Sequence, residues 1–181
     1  AKCNDIKLQR HYSKELLRYS IKNVFKLEIE DEAIMRNQYG KPSFKNKEHI
    51  KFNISHCNGL IACAVGLEEM GVDVENIRSF DDYVVIRVCN MKEINDIYSS
   101  HDSKRTFFTY WTMKESLGKA LGVGLHYPLR ENEFIKNGDG YLCNYEGLKI
   151  KNYEIDNKFS LSICTDKNEE IILRGVNLDG R

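Results

Sequence analysis

Residues 13–26, SKELLRYSIKNVFK, carry Leu16, Leu17, Ile21, Val24 and Phe25 at helical spacing behind a serine, which predicts a helix from Ser13 to about Lys26. QYGKPSF then reads as a turn and HIKFNIS as a strand; LIACAVG, EEM and GVDVE read as strand, turn and strand, making GVDVE one arm of a hairpin. Within GVDVE the two-residue period sets Val72 and Val74 on one face and Asp73 and Glu75 together on the other. Ser79 or Asp81 can cap a helix running to about Tyr98, and Asp102 or Ser103 a second one to about Leu121, closed by Gly122 and Gly124. In that second helix Phe107, Tyr110, Trp111, Met113, Leu117 and Leu121 make one apolar stripe, with Glu115 and Lys119 on its flank. EFIKN, GYLCNYEGLKI, YEID, KFSLSICT and EIILRGV read as short strands and hairpins. KFNIS (51–55) and KFSLS (158–162), each downstream of a long helix, form a faint repeat that hints at two related halves.

Composition narrows the class. With 41% apolar, 30% charged and 10% aromatic residues over 181 positions, the chain has the content of a globular domain that buries about two-thirds of its unfolded surface. Lys plus Arg and Asp plus Glu balance at 27 each, which argues against a broad nucleic-acid surface and sends the charge reading to local clusters. The six cysteines are scattered without a C-x-x-C or zinc spacing, as expected of reduced thiols in a cytoplasmic protein. The longest apolar run, LIACAV, is too short to span a bilayer, so no membrane partner is expected.

Taken singly, the charged motifs are ordinary. Asp73 and Glu75 suit the wet face of a hairpin, and Glu115 with Lys119 suits an exposed i, i+4 ion pair. Taken together, three carboxylates on two rigid elements can form an all-oxygen site with open positions, a donor set suited to Mg²⁺, with the lysine as a phosphate partner. Gly40, Lys41 and Pro42 put a cation on a tight turn, and Ser55 and His56 end the strand FNISH with two groups able to donate to phosphate oxygens.

In order and spacing, YGKPSF, FNISHCNG, GVDVENI and YWTMKESLGKALG resemble the motif series of the 4′-phosphopantetheinyl transferases, in particular the broad-specificity, surfactin-synthetase-activating type. The resemblance runs from about Lys2 to Ser162. It implies an α+β fold of two pseudo-symmetric halves, each a small antiparallel sheet packed on a long helix, with coenzyme A in the cleft between them. Residues 1–70 would form the coenzyme A-binding half, N-terminally incomplete because family members usually carry a few dozen residues before this start. Residues 71–181 would hold the metal site and carrier docking, and the whole would be a monomer with a dimer-like plan. By motif, Asp73, Glu75 and Glu115 would be the Mg²⁺ ligands and Lys119 the pyrophosphate contact. Gly40, Lys41 and Pro42 would meet the adenine nucleotide, Ser55 and His56 the phosphates, and Lys2 and Lys14 the 3′-phosphate.

The implied reaction moves 4′-phosphopantetheine from coenzyme A to a serine of an apo acyl or peptidyl carrier and releases adenosine 3′,5′-bisphosphate. Glu115, or a water that it and the metal polarise, would take the serine proton, and Lys119 and His56 would stabilise the departing phosphate. RSFDDYVVIRVCNMKEI, with Arg87 and Lys92 among apolar residues, is the expected docking edge for an acidic carrier helix. The competing readings are a metal-dependent phosphohydrolase, which does not account for GKP and FNISH in this order, and an inactive carrier- or coenzyme-binding module.

Overall fold

A computed structural model of the chain describes residues 6–29, 34–124 and 128–178. Helix α1 (Ile6–Phe25) leads into the short pair β1 (Ile34–Arg36) and β2 (Pro42–Phe44), then the hairpin β3 (Lys51–Cys57) and β4 (Leu60–Gly66). Strand β5 (Gly71–Asn76) follows, then helices α2 (Asp82–Val88), α3 (Met91–Ser99) and α4 (Ser103–Leu121). The chain ends in β6 (Ile135–Asn137), β7 (Gly140–Leu142), β8 (Leu148–Ile155) and β9 (Phe159–Asp166), which join β5 in an antiparallel sheet of order β5-β9-β8-β7-β6. The expected α+β class is borne out, with a long helix and antiparallel strands in each half.

Three apolar clusters organise the layers. Leu17 and Ile21 of α1 pack on Phe44, Phe52 and Ile54, so the even positions of β3 face the first helix. Ala62 and Ala64 of β4 meet Val72 and Val74 of β5 and Phe159 and Leu161 of β9, which stacks the hairpin against the five-stranded sheet. On the sheet's other face Met113, Leu117 and Ala120 of α4 cover Ile150 and Cys164. The order through the molecule is therefore α1, the β3–β4 hairpin, the larger sheet and α4.

Four local expectations differ from what the structure holds. Helix α1 begins at Ile6 rather than Ser13, since IKLQRHY contains neither proline nor glycine to stop it. The helix expected to reach Tyr98 unbroken divides at Cys89 and Asn90, both extended, because Asn90 and Glu93 form a reciprocal capping box that starts α3 afresh. GVDVE is not a hairpin arm with LIACAVG: β5 pairs antiparallel with β9, with Asp73 opposite Ser162 and Glu75 opposite Ser160. Its other edge meets β3 through side chains, as Val72 N–H donates to Asn53 Oδ1 (2.9 Å) and Val74 N–H to Ser55 Oγ (3.4 Å). EIILRGV forms no strand; this stretch leaves the sheet after Lys149 Nζ donates to the carbonyls of Lys167 and Glu169.

Cys57, Cys63, Cys89, Cys143 and Cys164 are all free, and burial pushes the Cys63 and Cys89 thiols up to about 12. Among the described residues no helix is long and apolar enough to cross a membrane.

Candidate active site

The site grows from one unusually close approach. A Cβ on Gly71 would stand 2.0 Å from the Ser116 carbonyl oxygen and 2.4 Å from the Ala120 nitrogen, so only glycine lets α4 lie this near β5. The odd positions of β5 then face the helix. On α4, Thr112, Glu115, Ser116 and Lys119 share a face by their i, i+3, i+4, i+7 spacing. The opening glycine of GVDVE thus brings Asp73 and Glu75 under Glu115 and Lys119.

Asp73 is buried at 4% exposure, and its two oxygens live differently. Oδ1 accepts from Lys119 Nζ (2.8 Å) and Ser55 Oγ (2.9 Å), whereas Oδ2 is buried with no partner. Lys119 Nζ also donates to Ser55 Oγ (3.0 Å) and the Val72 carbonyl (3.1 Å), which accounts for all three ammonium hydrogens. Glu75 accepts from Arg78 (3.1 Å), whose guanidinium lies 5.1 Å from the Phe108 ring centre. The Glu115 carboxyl is held above its ordinary range, first by burial and then by the Asp73 carboxylate; Lys119 opposes the rise and Glu75 adds to it.

The donor set fits a hard divalent cation, because a buried carboxylate oxygen lacks a partner beside a carboxyl that its neighbours make reluctant to ionise. Among the described residues, however, no three His, Cys, Asp or Glu side chains are gathered at metal-binding distance. The salt bridges give the reason: two of the three carboxylates are turned to basic partners, Asp73 to Lys119 and Glu75 to Arg78.

A cleft of about 350 Å³ opens at the C-terminal end of α4, lined by Asn37, Lys41, Ser43, Lys51, Glu69 and Gly122 among others. The GKP turn forms one wall. Gly40 takes φ +90°, Asn37 N–H donates to the Lys41 carbonyl (3.0 Å), and Pro42 opens β2. Lys41 Nζ reaches the Ala120 carbonyl (2.8 Å) and Glu69 (2.6 Å), while Asn37 Nδ2 donates to the Gly122 carbonyl (2.8 Å). Two residues of the first half thereby satisfy carbonyls at the end of the second half's helix, where positive charge is favoured. Burial pushes the Glu69 carboxyl up, but Lys41 and Lys51 outweigh it and hold it below its ordinary range.

The other expected residues are distributed less tightly. Ser55 sits at the carboxylates, but strand alternation puts His56, exposed, on the opposite face of β3, so the structure does not bring this pair to one spot. Lys14 is exposed on α1. Lys2 lies outside the described residues. Sequence reasoning missed two buried groups beside the site. Lys114 and Glu93 form an ion pair at 2.9 Å with side-chain exposures of 1% and 4%, joining α4 to α3, and Lys114 also donates to the Leu129 carbonyl (2.7 Å). Thr112 is buried against Ser160 and Ser162. The sequence signal for the second is KFSLS, whose echo of KFNIS points to a repeat and not to a partner for α4.

Residues 69–170, more than half of the chain and all of the α4–β5 site, match the model of the 4′-phosphopantetheinyl transferase superfamily. The chain belongs to that superfamily. Among relatives of this transferase family, a 4′-phosphopantetheinyl transferase of Bacillus subtilis is 31% identical over 70% of this chain and 60% of its own length. The 4′-phosphopantetheinyl transferase Sfp of Bacillus subtilis (strain 168) is 27% identical over 87% of this chain and 78% of its own. The solved holo-(acyl-carrier-protein) synthase of Thermotoga maritima overlaps in part, at 16% identity and a TM-score of 0.46 over 56% of this chain and 64% of that one. The family expected from the four motifs is borne out.

Proposed function

We propose that this chain transfers 4′-phosphopantetheine from coenzyme A to a serine hydroxyl of an apo acyl or peptidyl carrier. The observation that carries the reading is the juxtaposition of Asp73, with its partnerless buried oxygen, Glu115, with its raised carboxyl, and Lys119, inside the segment that matches the transferase family. Asp73, Glu75 and Glu115 would hold Mg²⁺, which when bound neutralises charge on the pyrophosphate oxygens.

The rest falls to the chain's own residues. The cleft at the GKP turn takes the adenine nucleotide, with Gly40, Lys41 and Pro42 as its wall, and Lys2 and Lys14 serve the 3′-phosphate. Ser55 and Lys119 serve the pyrophosphate, Lys119 leaving Asp73 to do so. The serine oxygen attacks the β-phosphorus; a new P–O bond forms there, the bridging P–O bond breaks, and adenosine 3′,5′-bisphosphate leaves. The serine proton goes to Glu115 or to a water it orients. Exposed Tyr83, Ile86 and Met91, beside Arg87 and Lys92, form the edge that docks an acidic carrier helix.

The test incubates the protein with coenzyme A, Mg²⁺ and an apo carrier and weighs the carrier by intact-protein mass spectrometry. A carrier heavier by one phosphopantetheine is expected. Hydrolysis of coenzyme A without carrier gain would make the protein a phosphohydrolase, and coenzyme A binding without either product would make it a binding module.

A further inference from the structure

The hydrogen bonds around Thr112 close into one assignable set. Thr112 is fully buried in the middle of α4, and its hydroxyl lies 2.9 Å from the Phe108 carbonyl, one turn back. It also stands 3.0 Å from Ser160 Oγ and 2.8 Å from Ser162 Oγ on β9. A threonine hydroxyl has one hydrogen; with that hydrogen on a carbonyl of its own helix, Phe108 or Thr109 (3.2 Å), both serines must donate to Thr112. Their own oxygens then accept from Asn152 Nδ2 of β8, each at 2.9 Å. The donors run in one direction, from β8 through β9 into α4, with every member paired.

The place of this set matters more than its strength. Ser162 is the strand partner of Asp73 and Ser160 that of Glu75, so the hydroxyls form a second row beside the carboxylates on the face toward α4. Thr112 precedes Glu115 by three residues on that same helix face. Besides the Gly71 approach and the Lys119 bonds, α4 meets the sheet through Met113, Leu117 and Ala120, contacts that tolerate small slides and rotations. Hydrogen bonds from two alternate positions of one strand to one helix atom tolerate neither.

We propose that Thr112 is a positioning residue, which through Ser160 and Ser162 fixes the rotation and height of α4 over the sheet so that Glu115 stands against Asp73 and Glu75. The inference rests on the transferase reading above for its activity arm only. Thr112→Val keeps the shape and removes the hydroxyl; Thr112→Ser restores it.

The experiment measures kcat, KM for coenzyme A, and binding of Mn²⁺ as a spectroscopic probe by electron paramagnetic resonance, all well below each variant's Tm. Thr112→Val is expected to lower kcat and weaken Mn²⁺ binding each by about tenfold or more, with KM for coenzyme A within about twofold and Thr112→Ser close to the parent. Ile21→Val, which loosens the first half's core, serves as the control and should leave kcat unchanged. Unchanged kcat and Mn²⁺ affinity in Thr112→Val, or an equal loss of kcat in Ile21→Val, overturns the proposal. Should the parent modify no carrier, the functional reading falls and the Mn²⁺ comparison alone decides this one. Should Thr112→Val fail to fold, Ser160→Ala and Ser162→Ala take its place: partial loss of Mn²⁺ affinity in each supports the assignment, and parental affinity in both overturns it.

Discussion

The two halves use the same plan, a long helix on antiparallel strands, but fasten it differently. Helix α1 is held chiefly by Leu17 and Ile21 against Phe44 and Phe52, an apolar contact, with Ser20 hydrogen-bonded to the weakly polar Cys63 thiol. Helix α4 has its apolar contact too, and adds the Gly71 approach and the bonds of Thr112, Lys114 and Lys119 to strands and loops. An apolar contact supplies stability without a fixed position, whereas buried polar groups are costly unless met at set distances and so specify where a helix must sit. The carboxylates lie under the helix that is specified. The repeat makes the same point. In KFNIS, Phe52 and Ile54 face α1, but in KFSLS the corresponding Phe159 and Leu161 face away from α4 and Ser160 and Ser162 face it. The echo is thus a one-residue inversion of faces between the halves.

The sharpest way to break this contrast is at the carboxylates. Asp73→Ala and Glu115→Ala are each expected to lower transfer by about a hundredfold or more while coenzyme A still binds, measured by carrier mass and by calorimetry. Near-parental turnover in either would remove that residue from the metal assignment. Next comes Gly71→Ala, whose methyl meets helix backbone rather than a flexible side chain; a loss of about 3 kcal/mol or more in denaturant unfolding is expected, with the helix displaced. Gly138→Ala tests whether any glycine would do as much: it sits in open space at φ +59° and should lose only about 1–2 kcal/mol.

Smaller effects sharpen the electrostatics. Arg87→Glu with Lys92→Glu is expected to raise KM for the carrier severalfold without moving that for coenzyme A, and an equal KM would remove this edge from docking. The Glu115 carboxyl is raised in the folded protein, so folding favours its protonated form: that contribution is full below the ordinary carboxylate range and is lost as pH rises through the raised value. Glu115→Gln, neutral at every pH, should therefore melt above the parent at neutral pH, by about 2–4 °C for each ~1 kcal/mol relieved, with the gap closing in acid. A parent that melts higher at neutral pH would contradict the raised carboxyl.

Much of this was legible in the chain. Both ends of α4 could be read, because Asp102 and Gly122 are local signals that act on their own turn; Asp102 accepts from Arg105 N–H and Gly122 takes the left-handed conformation. Asp73, Glu75, Glu115 and Lys119 were found because helix and strand periods place them and motif order ties the two elements together. The partner of β5 was not legible: β9 lies far along the chain, and alternation in GVDVE is equally satisfied by either neighbour. The Lys114–Glu93 pair was hidden for a related reason, since each residue alone looks like surface charge and only the packing of α3 on α4 buries both. His56 shows the limit of adjacency, because a residue next to Ser55 in sequence lies on the other face of β3.

The seam between β3 and β5 has a mechanical consequence. A backbone ladder there would have fused the hairpin and the larger sheet into one stiff plate. Asn53 and Ser55 instead hold the edge of β5 like separate studs, blocking it to strands of other molecules while leaving the two plates without a shared grain. Because Ser55 also touches Asp73 and Lys119, shear along that seam is felt at the carboxylates.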